Sequence, residues 1–441
     1  MDYSEALAYL ESLQIFGIKL GLTRITRLLE LLDLPQERCR MVHVTGTNGK
    51  GSVCAMLANI LRQSGLRVGM YTSPHLVSYT ERICVDGQPI AEQEFADCVA
   101  TIKAYAEQMV AEGDECPTQF EVLTALAFFY FAMRHVDYAV IEVGLGGLLD
   151  STNVIVPEVS VITNVTLEHA DRCGGTLEGV ASHKAGIIKE GVPVVTAAEG
   201  VPLEIIRSKA MACNADIFVA GKDFSVEKSD FDAENGTQNL SFSSELLGVS
   251  EQPFSLRLLG AHQAENAGCA VMAAALLRNN EPKITWEAMA EALRVVKWPV
   301  RFELLHIGEQ AVLVDGAHNP AGAKALRAGL DEYFPDGERV FLLGILRDKA
   351  VEEILCSLLR ENDTVVVTPP DSERAAAPEE LARLASGCAR HVEAYADNGK
   401  ALARALELAG KKHLLIVAGS LYLVGGLREA ILERGRSCTD G

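Results

Sequence analysis

The chain has 441 residues, 49% of them hydrophobic, enough to bury a large core and more than a single domain of ordinary size holds. Its 60 acidic against 40 basic side chains give a net charge of -20, which repels nucleic-acid phosphate and favours small-molecule chemistry. Eleven cysteines, odd in number and never spaced CxxC, argue against a disulfide framework or a zinc site and fit reduced cytosolic thiols.

The first residues, Met1-Asp-Tyr-Ser-Glu-Ala, carry no basic or apolar leader, and no stretch approaches eighteen uncharged apolar residues. A cytoplasmic protein with neither membrane nor nucleic-acid partners is expected. Val42-His-Val-Thr45 is predicted as a buried strand, Gly46-Thr-Asn-Gly-Lys-Gly-Ser52 as a turn and Val53 to Arg62 as a helix. Ala125-Leu-Ala-Phe-Phe-Tyr-Phe-Ala-Met133 ends at Arg134, far short of a membrane span, and reads as a buried core helix. Strands at Tyr138 to Ile141, Val159 to Ile162 and Val192 to Val195 alternate with helical patterns. That rhythm predicts βαβ units in a doubly wound, mostly parallel α/β sheet. Between Asp223 and Leu258 the chain turns polar, with short alternating stretches such as Asn239-Leu-Ser-Phe242, and a small antiparallel excursion is expected. Helical periodicity returns through His262 to Leu277, and Lys297-Trp-Pro-Val-Arg301 then supplies a proline-stiffened connection. A boundary near Val296 separates domains 1–296 and 297–441. Strands at Ala311 to Val314, Val340 to Gly344, Thr364 to Thr368 and Leu414 to Ala418 predict a smaller, Rossmann-like α/β domain.

Strand, glycine loop and helix in succession make an anion site, because the free N–H groups at the helix start point at whatever the loop encloses. Lys50 adds charge against the β- and γ-phosphates, and the Ser52 hydroxyl is placed to ligate Mg²⁺. The pattern GxxxxGK[ST] is not met, since Val44 stands at its first glycine and Gly51 separates Lys50 from Ser52, which disfavours a generic GTPase or motor loop. A glycine-rich βα turn with a surface lysine is the alternative. Glu142 follows an apolar strand and precedes a glycine-rich turn, at the sheet edge where α/β ligands bind, and is either a Mg²⁺ ligand beside Ser52 or a solvated strand-end charge. On their residues alone, His169 reads as a loop histidine and Lys184 as a helix-surface lysine, whereas Asp315-Gly-Ala-His-Asn-Pro320, directly after the strand Ala311 to Val314, reads as a binding edge, with turn chemistry at Asn319-Pro320 as the alternative.

Gly46-Thr-Asn-Gly-Lys-Gly-Ser52 also resembles the nucleotide loop of the Mur ligase superfamily, in its folylpolyglutamate synthase and dihydrofolate synthase branch. The resemblance runs from Phe16-Gly-Ile-Lys-Leu-Gly21 to Val417-Ala-Gly-Ser-Leu-Tyr422. Between them Tyr71-Thr-Ser-Pro-His-Leu76 with Glu81-Arg82, Thr118-Gln-Phe-Glu121, Glu142-Val-Gly-Leu-Gly-Gly147, His183-Lys-Ala-Gly186, Arg301-Phe-Glu303 and Asp315-Gly-Ala-His-Asn-Pro320 look like the family's signatures. It implies a bifunctional ligase of bacterial type that joins L-glutamate to dihydropteroate or a reduced folate through an acyl phosphate, using ATP and one or two Mg²⁺ ions. Thr47, Asn48, Gly49, Lys50, Gly51, Ser52, Asn266, Arg301 and Asp315 would then bind nucleotide, and Ser52, Glu142 and His169 metal. Lys50, Lys184 (as a carbamate), Arg301 and His318 would serve catalysis, and Ser73, Pro74, His75, Arg82, Phe120, Asp150 and Asn153 the folate-type substrate. A monomer is expected, closing on its nucleotide about the Lys297 to Val300 connection.

Two departures from the family bear on substrate detail. Leu148 stands where the family reads arginine, so a bidentate donor is missing where an anion would pass. Glu168 replaces the usual aspartate before His169, which weakens the second metal position. A cell-wall Mur ligase would need a substrate domain ahead of the loop, and only about forty residues precede it. A nucleotide-binding homologue without ligase activity has Leu148 as its support.

Overall fold

The computed structural model describes residues 1–17, 19–167, 172–335 and 337–439. Two units divide the chain: Met1–Asp230, Asn239–Arg257 and Gln263–Val296 form the first, and Phe231–Gln238, Leu258–His262 and Lys297–Gly441 the second.

In the first unit β1 (Arg40–Thr45), β2 (Val68–Tyr71), β3 (Ile83–Val85), β4 (Gln88–Pro89), β5 (Tyr138–Glu142), β6 (Val159–Ile162), β7 (Val194–Thr196) and β8 (Ile217–Val219) make one sheet of order β4-β3-β2-β5-β1-β6-β7-β8. All neighbours from β2 to β8 are parallel, while β3 and β4 add an antiparallel edge. The central strands are covered on both faces, which is why they read as continuous apolar runs rather than alternating ones. From β1 the chain crosses to β2 on one side, and from β5 it crosses β1 to β6 on the other. The carboxyl ends of β1, β5 and β6 therefore flank a topological switch point, where open α/β sheets bind ligands.

The apolar run at 125–133 lies in the helix Gln119–Met133, which is buried on almost every side, as a helix apolar all round must be. It packs with Leu10, Leu28, Phe95 and Ile102 on one face of the sheet, while Ile162, Ile187 and Ile206 belong to a second core cluster. Its first turn is closed by a capping box between Thr118 and Glu121, and the buried Glu121 carboxylate also meets Arg24 at 3.1 Å. Short β2 escaped prediction because Gly69 interrupts it; a Cβ there would lie 2.7 Å from the Phe131 ring, so the strand and helix meet only through glycine.

The polar segment forms β9 (Ser225–Asp232), β10 (Thr237–Ser244) and β11 (Val249–Leu256), a three-stranded sheet of order β11-β10-β9 whose Phe242 and Phe254 rings lie 6.2 and 6.5 Å from that of Trp286.

The second unit holds β12 (Glu303–Ile307), β13 (Gln310–Val314), β14 (Arg339–Leu343), β15 (Thr364–Val367), β16 (His391–Ala394) and β17 (Leu414–Ala418) in the order β12-β13-β17-β14-β15-β16. It is parallel except for β12 against β13. The four predicted strands are its centre, built around Leu313, Phe341, Val365 and Ile416. The unpredicted β12 and β16 are edge strands, only partly buried, so they lack the apolar run that marks the others. Among the described residues no helix is long and apolar enough to cross a membrane.

Candidate active site

Gly46 directly follows β1 at φ +153°, and a Cβ on it would fall 1.8 Å from the Thr163 hydroxyl oxygen, so only glycine lets the ends of β1 and β6 approach this closely. Gly49 sits at φ +86° as the N-cap of the helix Lys50–Gln63, which begins three residues before the predicted Val53. The left-handed turn at Gly49 lets Lys50, Gly51 and Ser52 form the first helical turn directly. No side chain caps that turn, so the positive end of the helix dipole and its first amides face the loop.

Bonds from the β6 end fix the loop. The Thr47 amide donates to the Asn164 carbonyl at 2.8 Å, the Asn48 amide to Asn164 Oδ1 at 2.9 Å, and the Thr163 hydroxyl to the Asn48 carbonyl at 2.6 Å. Lys50 Nζ curls back to the Gly46 and Thr47 carbonyls, at 3.1 Å each, and the buried Lys184 amine donates to the Gly46 carbonyl at 2.6 Å. Thr45, Gly46, Thr47, Lys50, the turn 143–146, Cys173, Val180 and Lys184 line one cavity. Asn266, from the helix Ala261–Leu277, lies over Gly49, its Oδ1 only 2.3 Å from where a Cβ would stand.

Glu142 ends β5 opposite Val44, is buried, and accepts from the Ser73 amide at 2.9 Å. The Ser52 hydroxyl is 1% exposed and has no hydrogen-bond partner. A buried, unsatisfied oxygen is costly unless something binds it. A hard cation that takes one or two protein oxygens and fills its shell with phosphate and water suits Ser52 and Glu142. Among the described residues no cluster of three or more His, Cys, Asp or Glu offers a metal site built from protein alone. His169 lies outside the described residues.

Beyond Glu142 the glycine turn is held from beneath. Both Asp150 oxygens are engaged, one by the Leu145 amide at 2.8 Å, the other by the Thr152 amide and hydroxyl at 3.0 and 2.5 Å. Burial raises the Asp150 pKa, and these bonds offset the rise. The Thr152 proton goes to this carboxylate, so His43 Nε2, 2.9 Å from the same hydroxyl, is the donor to it. His43 Nδ1 is then a bare acceptor with no partner, and burial followed by the charge of Lys189 lowers the imidazole to about 3. Asn153 donates to the Leu148 and Gly186 carbonyls, at 3.0 and 3.1 Å. The Asp150 carboxylate and the Asn153 amide nitrogen, on two residues read from the sequence as substrate residues, thus shape the turn, while Asn153 Oδ1 is buried with no hydrogen-bond partner. Leu148 packs over Gly186 and is 43% exposed.

On the other flank Phe120 stacks on Tyr71 at 6.1 Å and closes on Gly144, and the Ser73-Pro74 bond is cis. His75 Nδ1 accepts from Arg82 Nε at 2.8 Å, and its ring lies 4.3 Å from that of Tyr79. Burial, then the Arg82 charge, lowers His75 to about 4, so it is a neutral imidazole at physiological pH. Glu81 holds this loop by accepting from the Leu76, Val77 and Ser78 amides.

In the second unit Asp315 follows β13 and accepts from the Phe302 and Ala317 amides, at 2.8 Å each. Although the residue is partly exposed, its carboxylate is crowded by backbone; desolvation raises its pKa, with the Arg301 charge and the two amides opposing. Arg301 passes over Gly316, where a Cβ would meet its Nη1 at 2.4 Å, and is flanked by Val300 and Phe302 at φ +55° and +48°. A β-branched residue in the left-handed region is strained, and the Glu303 carboxylate helps hold it by accepting from the Val300 amide while pairing twice with Arg428 at 2.7 Å. His318 Nδ1 lies 2.8 Å from the Gly316 carbonyl, and Asn319 caps the helix Pro320–Tyr333.

Residues 44–274 match the Mur ligase middle domain and residues 300–421 the Mur ligase glutamate ligase domain. The folylpolyglutamate synthase of Lacticaseibacillus casei is 36% identical over 98% of this chain and 99% of its own. The Bacillus subtilis dihydrofolate synthase/folylpolyglutamate synthase is 33% identical over 97% and 99%. The solved structure of Escherichia coli FolC in complex with DHPP and ADP is 29% identical, with a TM-score of 0.87 covering 98% of each chain. The chain belongs to the folylpolyglutamate synthase/dihydrofolate synthase branch of the Mur ligases.

Of the positions its family motifs mark, the first unit brings Thr47 to Ser52, Lys184 and Asn266 around one loop, with Glu142 at the end of the neighbouring strand and Ser73 bonded to it. Arg301 and Asp315 converge within the second unit. Sequence reading missed Thr163 and Asn164, which hold the Mur ligase loop in shape, and Cys173, which lines its cavity. Thr163-Asn164 follow a predicted strand directly at its carboxyl end, a signal that was available; Cys173 carried none.

Proposed function

We propose that this Mur ligase is an ATP-dependent enzyme that adds L-glutamate to dihydropteroate and to reduced folates, acting as a cytoplasmic monomer. One observation carries the reading: an uncapped helix start, a lysine, a buried lysine amine and an unsatisfied serine hydroxyl converge on a glycine loop at a sheet switch point. The names of the relatives and the ADP and DHPP held by the E. coli protein support the substrates.

ATP would lie with its phosphates on the amides from Gly49 to Ser52. The folate-type carboxylate attacks the γ-phosphorus, the bond to the β-phosphate oxygen breaks, and an acyl phosphate and ADP form. Lys50, freed from the Gly46 and Thr47 carbonyls, moves its charge onto the transferring oxygens, and the helix start adds its dipole. The glutamate amine then attacks the activated carbonyl and phosphate leaves. Ser52 and Glu142 would hold Mg²⁺, with His169 for a second ion, and the metal supplies charge neutralisation on the phosphates. Lys184, whose amine lines the cavity, is assigned a carbamate. Arg301, Asp315, His318 and Asn266 are assigned to the nucleotide. Ser73, Pro74, His75, Arg82 and Phe120 are assigned to the acceptor.

Purified protein incubated with MgATP, L-glutamate and either dihydropteroate or a reduced folate, with products weighed by mass spectrometry and ADP counted, tests the proposal. Glutamate added to both acceptors with one ADP each is the expected result. No amide product with either acceptor would leave a nucleotide-binding protein without ligase activity. Gel filtration at assay concentration checks the monomer.

A further inference from the structure

Cys356, on the helix Val351–Leu358, and Cys388, just beyond the helix Pro378–Ala385, place their sulfur atoms 3.2 Å apart on the surface of the second unit, 32 positions apart in the chain. Cys356 is exposed and Cys388 half-buried, whereas the other eight described cysteines are buried or half-buried. Around the pair the packing is apolar and firm: Ile354, Leu355, Leu381 and Ala385 belong to one core, so the two sulfurs are presented by elements that hold their places. The chemistry of the two thiols is unequal as well. Partial burial, the bond with Cys356 and the nearby Glu352 carboxylate push the Cys388 thiol up to about 11, and Cys356, the more exposed of the two, is the sulfur that a dissolved disulfide reaches first.

We propose that Cys356 and Cys388 form a reversible dithiol–disulfide site that reacts with low-molecular-weight disulfides and ties the two helices of the second unit together. The Cys356 thiolate attacks one sulfur of the small disulfide, breaking its S–S bond and releasing one thiol. Cys388 then gives up its proton to solvent and attacks Cys356 Sγ, forming the protein disulfide and releasing the second thiol. Two protein thiols are oxidised and one small disulfide is reduced to two thiols. The closed loop contains β15, the connection 368–377 and the helix Pro378–Ala385, a segment already laced to the end of β14 by the Arg347–Arg374 and Ala376–Ile345 backbone bonds. Closing it removes freedom chiefly from the unfolded chain, so oxidation should raise stability.

The full chain is equilibrated with mixtures of oxidised and reduced glutathione, alkylated, and digested without reduction. A cross-linked peptide pair holding Cys356 and Cys388, two hydrogens lighter than the separate peptides, is expected before any other thiol is modified. Oxidised protein should unfold a few degrees above reduced protein, and Cys356→Ser and Cys388→Ser should each abolish both the cross-link and the shift. Phenylarsine oxide, which bridges two neighbouring thiols, should bind one equivalent of the reduced chain and bind either variant at least about tenfold more weakly, the loss of one of two sulfur ligands. Separate glutathione adducts without a cross-link, or arsenical binding unchanged in the variants, would overturn the proposal.

Discussion

Replacing Ser52 by alanine separates a structural from a functional serine, because the two roles move stability in opposite directions. Its hydroxyl is 1% exposed and unpartnered, and such a group costs about 1–3 kcal/mol in the folded protein. Alanine keeps the Cβ, removes the orphaned oxygen and improves helix propensity by roughly 0.5 kcal/mol. The nucleotide-free Ser52→Ala protein should therefore match or exceed the parent, by up to about 2 kcal/mol, in urea unfolding. Activity should go the other way: with one oxygen ligand gone, the Mg²⁺ concentration giving half-maximal ADP release should rise about tenfold or more. Two titrations, urea against fluorescence and Mg²⁺ against ADP release, read both quantities. A variant destabilised by more than about 1 kcal/mol, with the Mg²⁺ curve unmoved, would mean the hydroxyl serves the fold and the metal assignment is wrong.

Lys50→Ala should lower the rate of ADP release about 10²- to 10³-fold with little change in unfolding, since the ammonium is asked to act on transferring charge; intact substrate-dependent ADP formation would remove Lys50 from the reaction. Gly46→Ala should cost at least about 1–3 kcal/mol by urea unfolding from backbone strain alone, and should also abolish nucleotide binding, because its Cβ would overlap the Thr163 hydroxyl. His43 predicts an acid sensitivity. Its folded pKa, about 3, lies below the ordinary 6.5, so above pH 6.5 neither state is protonated and its contribution is complete; as pH falls toward 3 the unfolded chain takes up a proton that the folded one refuses. Stability should drop by about 2 kcal/mol between pH 7.5 and 5 on this account, and His43→Gln, which keeps a donor for Thr152, should flatten that slope.

Much of this protein is written in short range. The buried strands β1, β5 and β6 announce themselves as apolar runs, the loop Gly46–Ser52 by its glycines, and the second unit's central strands by the same alternation with helices, because burial on both faces and turn geometry are local demands on residue type. Family motifs went further and marked positions such as Lys184 and Asn266 that no local pattern distinguishes. Tertiary structure decided the rest. That Ser52 has no partner, that Asn153 ties its turn to Gly186, that His43 is a neutral donor beneath it, and that Thr163 and Asn164 hold the loop all depend on which distant segments meet. A side chain's neighbours across a parallel sheet are set by the order β2-β5-β1-β6, and that order comes from crossovers whose direction no residue in the strands encodes.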